Sequence, residues 1–430
     1  MAEAGTERLD RGIRRWDLVA LVLNAVIGAG IFGLPAKAFA LVGSYSVFAY
    51  VGCALLVILV VLCFAELSSR VSATGGPYLY AREAFGPFVG FLVGWLMWLT
   101  RLTAFAALCN LFVGYLGHFW PPAETGLARG LIITALVGAV AFINIIGVRK
   151  AALVSNVFVI GKLSALLMFI LVGLFFVRAE NISFTGVPDA NSFSAAVLLL
   201  VFSFGGFEGT PVVAGEAREP TRQMPFALIC GVGIAAAVYV LIQFVCIGTL
   251  PGLASSERPL ADAANSFVGV MGASVISAGA LISVTGTLNS IMLGGPRILY
   301  ALAEGGQLPR AFTLTHARFR TPFVAILVSA IGVWALSVWG SFLSGVSFST
   351  ISRLLTYAAT CVAVIVLRQR SRDRAPFSVP GGIAVAVAGF GLCVWLVVSS
   401  GTTELMAGSI AAGAGLLVYS AHWSFARLRA

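Results

Sequence analysis

The stretch Gly28-Ala29-Gly30-Ile31-Phe32-Gly33-Leu34-Pro35 interrupts the first long apolar segment of the chain. A second stretch, Gly205-Gly206-Phe207-Glu208-Gly209-Thr210-Pro211, interrupts a later apolar segment. Both contain the pattern Gly-x-x-Gly-x-Pro, at 30–35 and at 206–211. Glycine and proline weaken a helix, and lipid offers no partner for the N–H and C=O groups that a break releases. The two breaks therefore predict that the released N–H and C=O groups have a function other than helical hydrogen bonding.

The composition predicts a membrane protein. Of the 430 residues, 59% are hydrophobic and only 10% are charged, whereas soluble domains carry about 25% charged residues. About 20 apolar residues cross the hydrocarbon core as a helix. We predict an all-α integral membrane protein with twelve spans, near residues 17–42, 46–67, 88–117, 129–147, 152–177, 194–216, 226–250, 267–303, 322–343, 347–368, 382–400 and 404–426.

Positive charge is distributed unevenly between the two ends of the predicted spans. Of the 27 Lys and Arg residues, twenty lie at the termini and in every second loop, three in the opposite loops and four inside spans. Cytoplasmic loops are enriched in Lys and Arg, so both termini are expected to be cytoplasmic. The net charge of +10 forms no basic stripe with interleaved aromatic residues, and we expect membrane lipid but no nucleic acid as a partner.

The two breaks divide the chain into two halves of five spans each. Five helices per half places the second half upside down, which predicts a 5+5 inverted repeat. The repeats cover about 16–178 and 194–369, with accessory helices at about 382–427, in one transmembrane domain (1–430). Interrupted spans at corresponding positions of two halves point to the substrate site of a secondary transporter.

Other classes of protein fit the sequence less well. The first break matches Gly-x-Gly-x-x-Gly, but a dinucleotide site needs a preceding strand and an acid about 20 residues on, and no acidic residue lies between Asp17 and Glu66. The chain has no Walker-type motif, no cluster of catalytic groups and no metal-ligand spacing. We therefore expect no enzyme activity, no cofactor and no metal site.

Four stretches resemble the amino acid–polyamine–organocation (APC) permeases. They are 24–35, Gly75-Gly76-Pro77-Tyr78, Phe204-Gly205-Gly206-Phe207-Glu208 and 215–225. The last resembles the pattern Glu-x-x-x-Asn-Pro-x-Arg-x-x-Pro, with Glu219 in place of Asn. The resemblance implies the leucine-transporter-like fold, alternating access, helices 1 and 6 unwound at the midplane, and a bacterial inner membrane.

The resemblance also implies which backbone groups bind the substrate. The N–H groups of Gly28, Ala29 and Gly30 would hold the carboxylate of an amino acid. Carbonyl oxygens at both breaks would hold its ammonium group, namely those of Asn24 or Ile27 and of Phe202, Ser203 and Gly205. The residues agree with this assignment, because a helix N-terminus favours an anion and free carbonyls favour a cation.

Lys162 lies near the middle of the fifth predicted span, where ionisable groups are costly and usually functional. By the resemblance, a helix-5 lysine in some proton-coupled relatives sits where sodium-coupled relatives bind sodium. Span eight has the hydroxyls of 283–287 but lacks the adjacent pair that those sodium relatives carry, which favours protons over sodium. The alternative is that Lys162 only caps carbonyls of the broken first helix.

Glu208 lies within the second break, and Arg101 lies in span three on one helix face with Met97 and Phe105. Glu208 is a candidate for proton coupling, gating or contact with a basic substrate group, or it is a structural acceptor of freed N–H groups. The resemblance assigns the Arg101 face to the substrate cavity. There the guanidinium would bind a side-chain carboxylate and repel cations, or form a buried pair with Glu208.

Two further cations and several aromatic residues lie within spans. Lys37 and Arg353 are placed nearer the outward ends, where snorkelling toward water explains both. Aromatic residues near the predicted cavity are candidates for gating, with ordinary packing as the alternative: Trp95, Trp98, Phe202, Phe204 and Phe207.

The leading functional prediction is a secondary active, proton-coupled amino acid transporter of the cytoplasmic membrane. An amino acid or polyamine exchanger and a non-transporting amino acid sensor are the alternatives. A channel would need a selectivity filter or a ring of identical residues, and the sequence has neither. The expected small-molecule partners are an amino acid and protons; the substrate side chain and the oligomeric state stay open.

Overall fold

The computed structural model describes residues 14–71, 75–146, 148–319, 321–370 and 375–427. Within these ranges the regular elements are all helical, which confirms the all-α prediction. The first seven α-helices are α1 (Arg15–Val26), α2 (Ala29–Val42), α3 (Ser46–Arg70), α4 (Pro77–Phe85), α5 (Pro87–Leu116), α6 (Gly126–Ile146) and α7 (Val148–Gly173).

Eight more α-helices follow in the described part of the chain. They are α8 (Ala190–Phe204), α9 (Pro220–Thr249), α10 (Pro259–Val268), α11 (Val270–Glu304), α12 (Phe323–Trp339), α13 (Phe342–Arg370), α14 (Gly382–Val398) and α15 (Thr402–Arg427). A 3₁₀ helix over Phe207–Glu216 lies between α8 and α9.

The helices coincide with the predicted membrane spans. Eight helical stretches of the described chain are long and apolar enough to cross a membrane, and one of them, Gly30–Arg70, covers the second half of the first predicted span and the whole of the second. Three shorter apolar helices, at Phe323–Trp339, Gly382–Val398 and Gly408–Ala421, account for the remaining three. The twelve predicted spans therefore all correspond to helices.

An interruption of the helical hydrogen bonding lies at the start of each glycine stretch. α1 ends at Val26 and α2 begins at Ala29, with Ile27 and Gly28 outside helical geometry between them, so the pattern at 30–35 lies within α2. α8 ends at Phe204, and Gly206 adopts a φ of 120° before the 3₁₀ helix. That φ lies in a region that side chains with a Cβ rarely adopt, so glycine is needed at position 206.

The interrupted helices lie at the centre of the bundle. α1 packs on α9, α2 packs on α8, and α1 also contacts the 3₁₀ helix. Around them, α3 packs along α9, while α5 lies between α11 and α13. α14 packs against α3 and α13, and α15 packs against α5 and α13.

α10 lies mostly between the predicted spans 226–250 and 267–303, where no helix was predicted. Pro259 occupies its first turn, where proline is tolerated because the N–H has no helical partner. One face buries Leu260, Ala261, Ala263 and Ala264. The prediction was wrong because a short amphipathic helix contains too few apolar residues to be counted as a span.

A buried carboxylate joins three elements at the predicted cytoplasmic end of the bundle. Glu66 of α3 is fully buried and accepts hydrogen bonds from Nε and Nη2 of Arg368 on α13, at 2.6 and 2.5 Å. It also accepts the N–H of Val379, just before α14, at 3.1 Å. Paired hydrogen bonds between arginine and carboxylate are among the strongest in proteins.

We expect Glu66→Gln to lower the free energy of unfolding by about 2–3 kcal/mol, because hydrogen bonds to charged groups are lost within a buried site. The measurement is thermal denaturation of the detergent-solubilised protein. Glu180→Gln is the matched control, since Glu180 pairs with Arg178 at 4.0 Å with both side chains largely exposed. Equal melting temperatures for the two variants would contradict the structural role of Glu66.

Candidate functional site

A small cavity of about 30 Å³ lies between the two helix breaks. Small-molecule sites are usually about 300–1,000 Å³, so a bound molecule would need these walls to move apart. Its walls come from α1, α2, α5, α8, α11 and α13. Six of the predicted site residues line it: Gly28, Gly30, Arg101, Phe202, Ser203 and Gly205.

The two breaks cross each other at close range. A Cβ built on Gly30 would lie 2.5 Å from Cα of Ser203, and one built on Gly206 would lie 2.2 Å from the carbonyl oxygen of Ala25. Real Cβ atoms do not approach backbone this closely. The glycines at these two positions are therefore required by the crossing of the backbones.

Lys162 of α7 holds the carbonyl end of α1. Its side chain is fully buried, and Nζ donates to the carbonyl oxygens of Ile27 at 2.7 Å and Asn24 at 3.2 Å. The hydroxyl of Thr287 lies 3.5 Å from the same nitrogen. The ammonium group thus satisfies carbonyls that the break removes from the helix, as the capping interpretation predicts.

Tyr239 of α9 connects the two breaks. Its hydroxyl lies 2.8 Å from the carbonyl oxygen of Val26 on α1 and 3.0 Å from that of Ser203 on α8. Nη1 of Arg353 lies 3.4 Å from the carbonyl oxygen of Phe202. Carbonyl groups at the C-terminal ends of α1 and α8 therefore accept hydrogen bonds from side chains of other helices.

These contacts bear on the carbonyls predicted to bind an ammonium group. Those of Asn24, Ile27 and Phe202 each accept from a side-chain donor, and that of Ser203 shares the Tyr239 hydroxyl with Val26. A carbonyl oxygen has two lone pairs and can accept a second hydrogen bond. Asn24 and Ile27 are themselves buried and do not line the cavity.

The N-terminus of α2 faces the cavity with fewer donors than predicted. The N–H of Gly28 donates to the carbonyl oxygen of Val26 at 2.8 Å. The next N–H groups, of Ala29 and Gly30, lie in the first turn of α2, where an α-helix leaves N–H groups without helical partners. An anion at this end would therefore bind at residues 29 and 30 rather than at 28.

Glu208 lies at the centre of a buried polar cluster. Its carboxylate accepts the N–H of Gly206 at 2.7 Å, Nε of Arg353 at 3.2 Å and the hydroxyl of Tyr357 at 3.1 Å. Arg101 pairs with the same carboxylate at 3.9 Å. The geometry thus contains the structural acceptor considered for Glu208 and the buried pair considered for Arg101.

Arg353 is not a snorkelling residue at the outward end of its span. Its side chain is only 4% exposed and lines the central cavity together with Arg101. The prediction was wrong because distance along a span does not reveal a buried carboxylate on another helix. Lys37, by contrast, is 28% exposed and pairs with Glu257 at 3.2 Å.

Only one of the aromatic gating candidates lines the cavity, and that residue is Phe202. Phe207 is fully buried against Phe64 and Tyr357. The remaining three candidates pack elsewhere: Trp95 donates to Ala411, Trp98 donates to Ser329, and Phe204 packs on Tyr239. The contacts of these residues are those of ordinary packing.

A second cavity of about 290 Å³ lies next to Gly33, Lys37 and Phe342. The ring of Phe342 contacts the ring of Phe202 edge-on, with centroids 6.3 Å apart. Phe202 lines the central cavity and Phe342 lines this second one. The two rings therefore stand between the central cavity and the predicted outward end.

Sequence reasoning missed Arg353, Tyr357 and Tyr239 as site residues. Arg353 and Tyr357 are four residues apart on α13, so they share one helix face. An arginine and a tyrosine at this spacing within a predicted span were the available signal for a polar site on α13. Tyr239 has no such signal, because a tyrosine within a long apolar helix is equally typical of ordinary packing.

The chain is similar to known membrane transporters. The family described as "Amino acid permease" matches residues 13–418. The chain belongs to the amino acid permease family. The match covers nearly the whole chain and includes both helix breaks, so the permease is a multi-pass membrane protein of a transporter family, and amino acid transport is its general function.

Three characterised relatives of the permease come from Bacillus subtilis. A serine/threonine exchanger is 31% identical, over 84% of this chain and 84% of its own length. A methylthioribose transporter and a branched-chain amino acid permease are each 26% identical, over 97% of this chain and 94% of their own lengths. The permease is thus similar to transporters of several different small molecules.

Proposed function

We propose that the permease is a secondary active amino acid transporter that works by alternating access and is coupled to protons. The observation that carries this is the cavity between the two helix breaks, lined by backbone of α1, α2 and α8. In broken-helix transporters, backbone groups freed at the midplane bind the charged ends of the substrate. The chain would lie in the cytoplasmic membrane with both termini cytoplasmic.

In this proposal the substrate is held between the two breaks. Its carboxylate binds at the N-terminus of α2, at the N–H groups of Ala29 and Gly30. Its ammonium group binds at the carbonyl end of α8, at Phe202, Ser203 and Gly205. Helix termini carry partial charges of the required signs, positive at the N-terminus and negative at the C-terminus.

Lys162 would couple the transport of protons to that of substrate. As an ammonium group it has three N–H donors, and it holds two carbonyls of the first break. Loss of its proton removes one donor and the charge, which weakens its hold on the end of α1. Protonation would then favour one arrangement of the break over the other.

The domain organisation is also a proposal. The two breaks would occupy equivalent positions of inverted repeats at about 16–178 and 194–369, with accessory helices at about 382–427. Support comes from the equivalent pattern Gly-x-x-Gly-x-Pro in the two halves and from the packing of α14 and α15 against α3, α5 and α13. Motion of one repeat against the other would expose the site to each side in turn.

Exchange without net proton coupling is the second candidate, because the relative with 31% identity is an exchanger. The test is uptake of labelled amino acids into proteoliposomes, with an imposed proton gradient, a sodium gradient or only preloaded unlabelled substrate. Uptake driven by the proton gradient alone is expected. Uptake that requires preloaded substrate would establish an exchanger, and binding without flux would indicate a sensor.

We expect Gly30→Ala to abolish uptake, because its methyl group would collide with the backbone of Ser203 and force the two breaks apart. Gly138→Ala is the matched control: it also lies in a helix, and a Cβ there meets no atom within 4 Å. The measurement is initial uptake rate at equal amounts of protein in the membrane. Equal rates for the two variants would mean that the close crossing is not needed for transport.

A further inference from the structure

The walls of the central cavity carry two cations and no anion. Arg101 of α5 and Arg353 of α13 both line the cavity, and no acidic side chain does among the described residues that line it. Glu208 lies behind the two arginines, in a smaller adjoining cavity. With one carboxylate between two guanidinium groups, the cluster has a net charge of +1.

The hydrogen-bonding groups of Arg101 are largely unused. Its side chain is 11% exposed, and its nearest anion is Oε1 of Glu208, at 3.9 Å. Arg101 donates no hydrogen bond within the described part of the chain, although a guanidinium has five N–H donors. Arg353 is the better partner of Glu208, since its Nε donates to the same oxygen at 3.2 Å.

The broken segment makes room for both guanidinium groups. A Cβ on Gly205 would lie 1.9 Å from Cζ of Arg353, and a Cβ on Gly209 would lie 2.2 Å from Nη2 of Arg101. The glycines at 205 and 209 therefore leave space for two arginine side chains beside the cavity. A structural ion pair with Glu208 needs only one of them.

A buried charge without a counter-charge is costly, and the cost is greater within a membrane. A ligand that supplies one negative charge would neutralise the cluster. We propose that the substrate is an amino acid with an anionic side chain, whose side-chain carboxylate binds Arg101 and Arg353. This inference rests on the proposed function, because it assumes that the central cavity is the substrate site.

The charges of such a substrate match those of the cavity. Its α-carboxylate binds at the N-terminus of α2, and its ammonium group binds at the carbonyl end of α8. The second carboxylate accepts from the donors of Arg101 and from Arg353, in the paired geometry that arginine favours. A cationic amino acid is repelled by the same two arginines, and a neutral one leaves their charge uncompensated.

The first test compares glutamate, aspartate, glutamine, leucine and arginine as ligands of the purified wild-type protein and as substrates in proteoliposomes. Glutamine is the decisive comparison because it has the shape of glutamate without the charge. We expect glutamate or aspartate to be transported, with an apparent affinity at least tenfold higher than that of glutamine. Transport of glutamine or leucine as efficient as that of glutamate overturns the inference and leaves the proposed function standing.

No binding and no flux with any amino acid overturns the proposed function, and the inference with it.

The second test uses Arg101→Gln. This variant is expected to raise the KM for the acidic substrate at least tenfold and to reduce the difference in apparent affinity between the acidic substrate and glutamine. Arg178→Gln, at an exposed site, is the matched control and keeps the wild-type KM. If Arg101→Gln does not fold, the glutamate and glutamine comparison on the wild-type protein still decides.

Discussion

Replacing Lys162 by glutamine is expected to lower proton-driven uptake by the permease roughly 10- to 100-fold, the equivalent of one lost hydrogen bond to a charged group. Glutamine offers a planar amide with two N–H donors and has no proton to release. It would hold the carbonyls of Asn24 and Ile27 less well, and it cannot change charge during the transport cycle. The measurement is initial uptake at a series of external pH values.

The matched control is Lys37→Gln, which makes the same change at a lysine that is partly exposed and pairs with an exposed glutamate. It is expected to keep the wild-type dependence of uptake on the proton gradient. Substrate exchange between preloaded liposomes separates the two roles of Lys162. A variant that retains exchange but loses the proton-driven component supports coupling. A variant that is less stable but still responds to the proton gradient would show that Lys162 only caps the carbonyl groups of α1.

Glu208→Gln is expected to lower the free energy of unfolding by about 3–5 kcal/mol and to abolish uptake, because breaking a buried ion pair leaves charges without compensation. Here two arginines, Arg101 and Arg353, would lose the only carboxylate with which they pair in the described structure. The N–H of Gly206 would also lose a charged acceptor. Melting temperature in detergent and uptake in proteoliposomes are the two measurements.

A double variant makes this prediction specific to charge. Glu208→Gln combined with Arg353→Gln removes one charge of each sign, so it should recover part of the melting temperature that Glu208→Gln alone loses. Glu180→Gln, at a surface pair, should have no effect. If Glu208→Gln retains both its melting temperature and its uptake at every pH, the ion cluster is dispensable and the account of the second break is wrong.

The positions of helices and breaks were predictable because their signals are local. Long apolar runs are visible in any short window of sequence, and the glycine stretches that begin at Gly28 and Gly205 each lie at an interruption. Lys162 was identified for a similar reason, since a lone lysine within an apolar span is conspicuous. These features need no knowledge of which helices are neighbours.

The pairings within the site were not predictable in this way. Arg353 and Glu208 are 145 positions apart, and nothing in either segment indicates that α13 passes the second break. The occupied N–H of Gly28 was also hidden, because it depends on the backbone dihedral angles of the break. Such details follow from the packing of helices against one another, which a pattern of residue types does not determine.

The hydroxyl of Tyr239 has a mechanical consequence. It lies between the carbonyl ends of α1 and α8, yet it has a single proton and can donate to only one of them at a time. If α1 moves away from α8, the hydroxyl can rotate and donate to whichever carbonyl stays within reach. The direction of this one O–H bond would then differ between the two arrangements of the helices, without any change of charge.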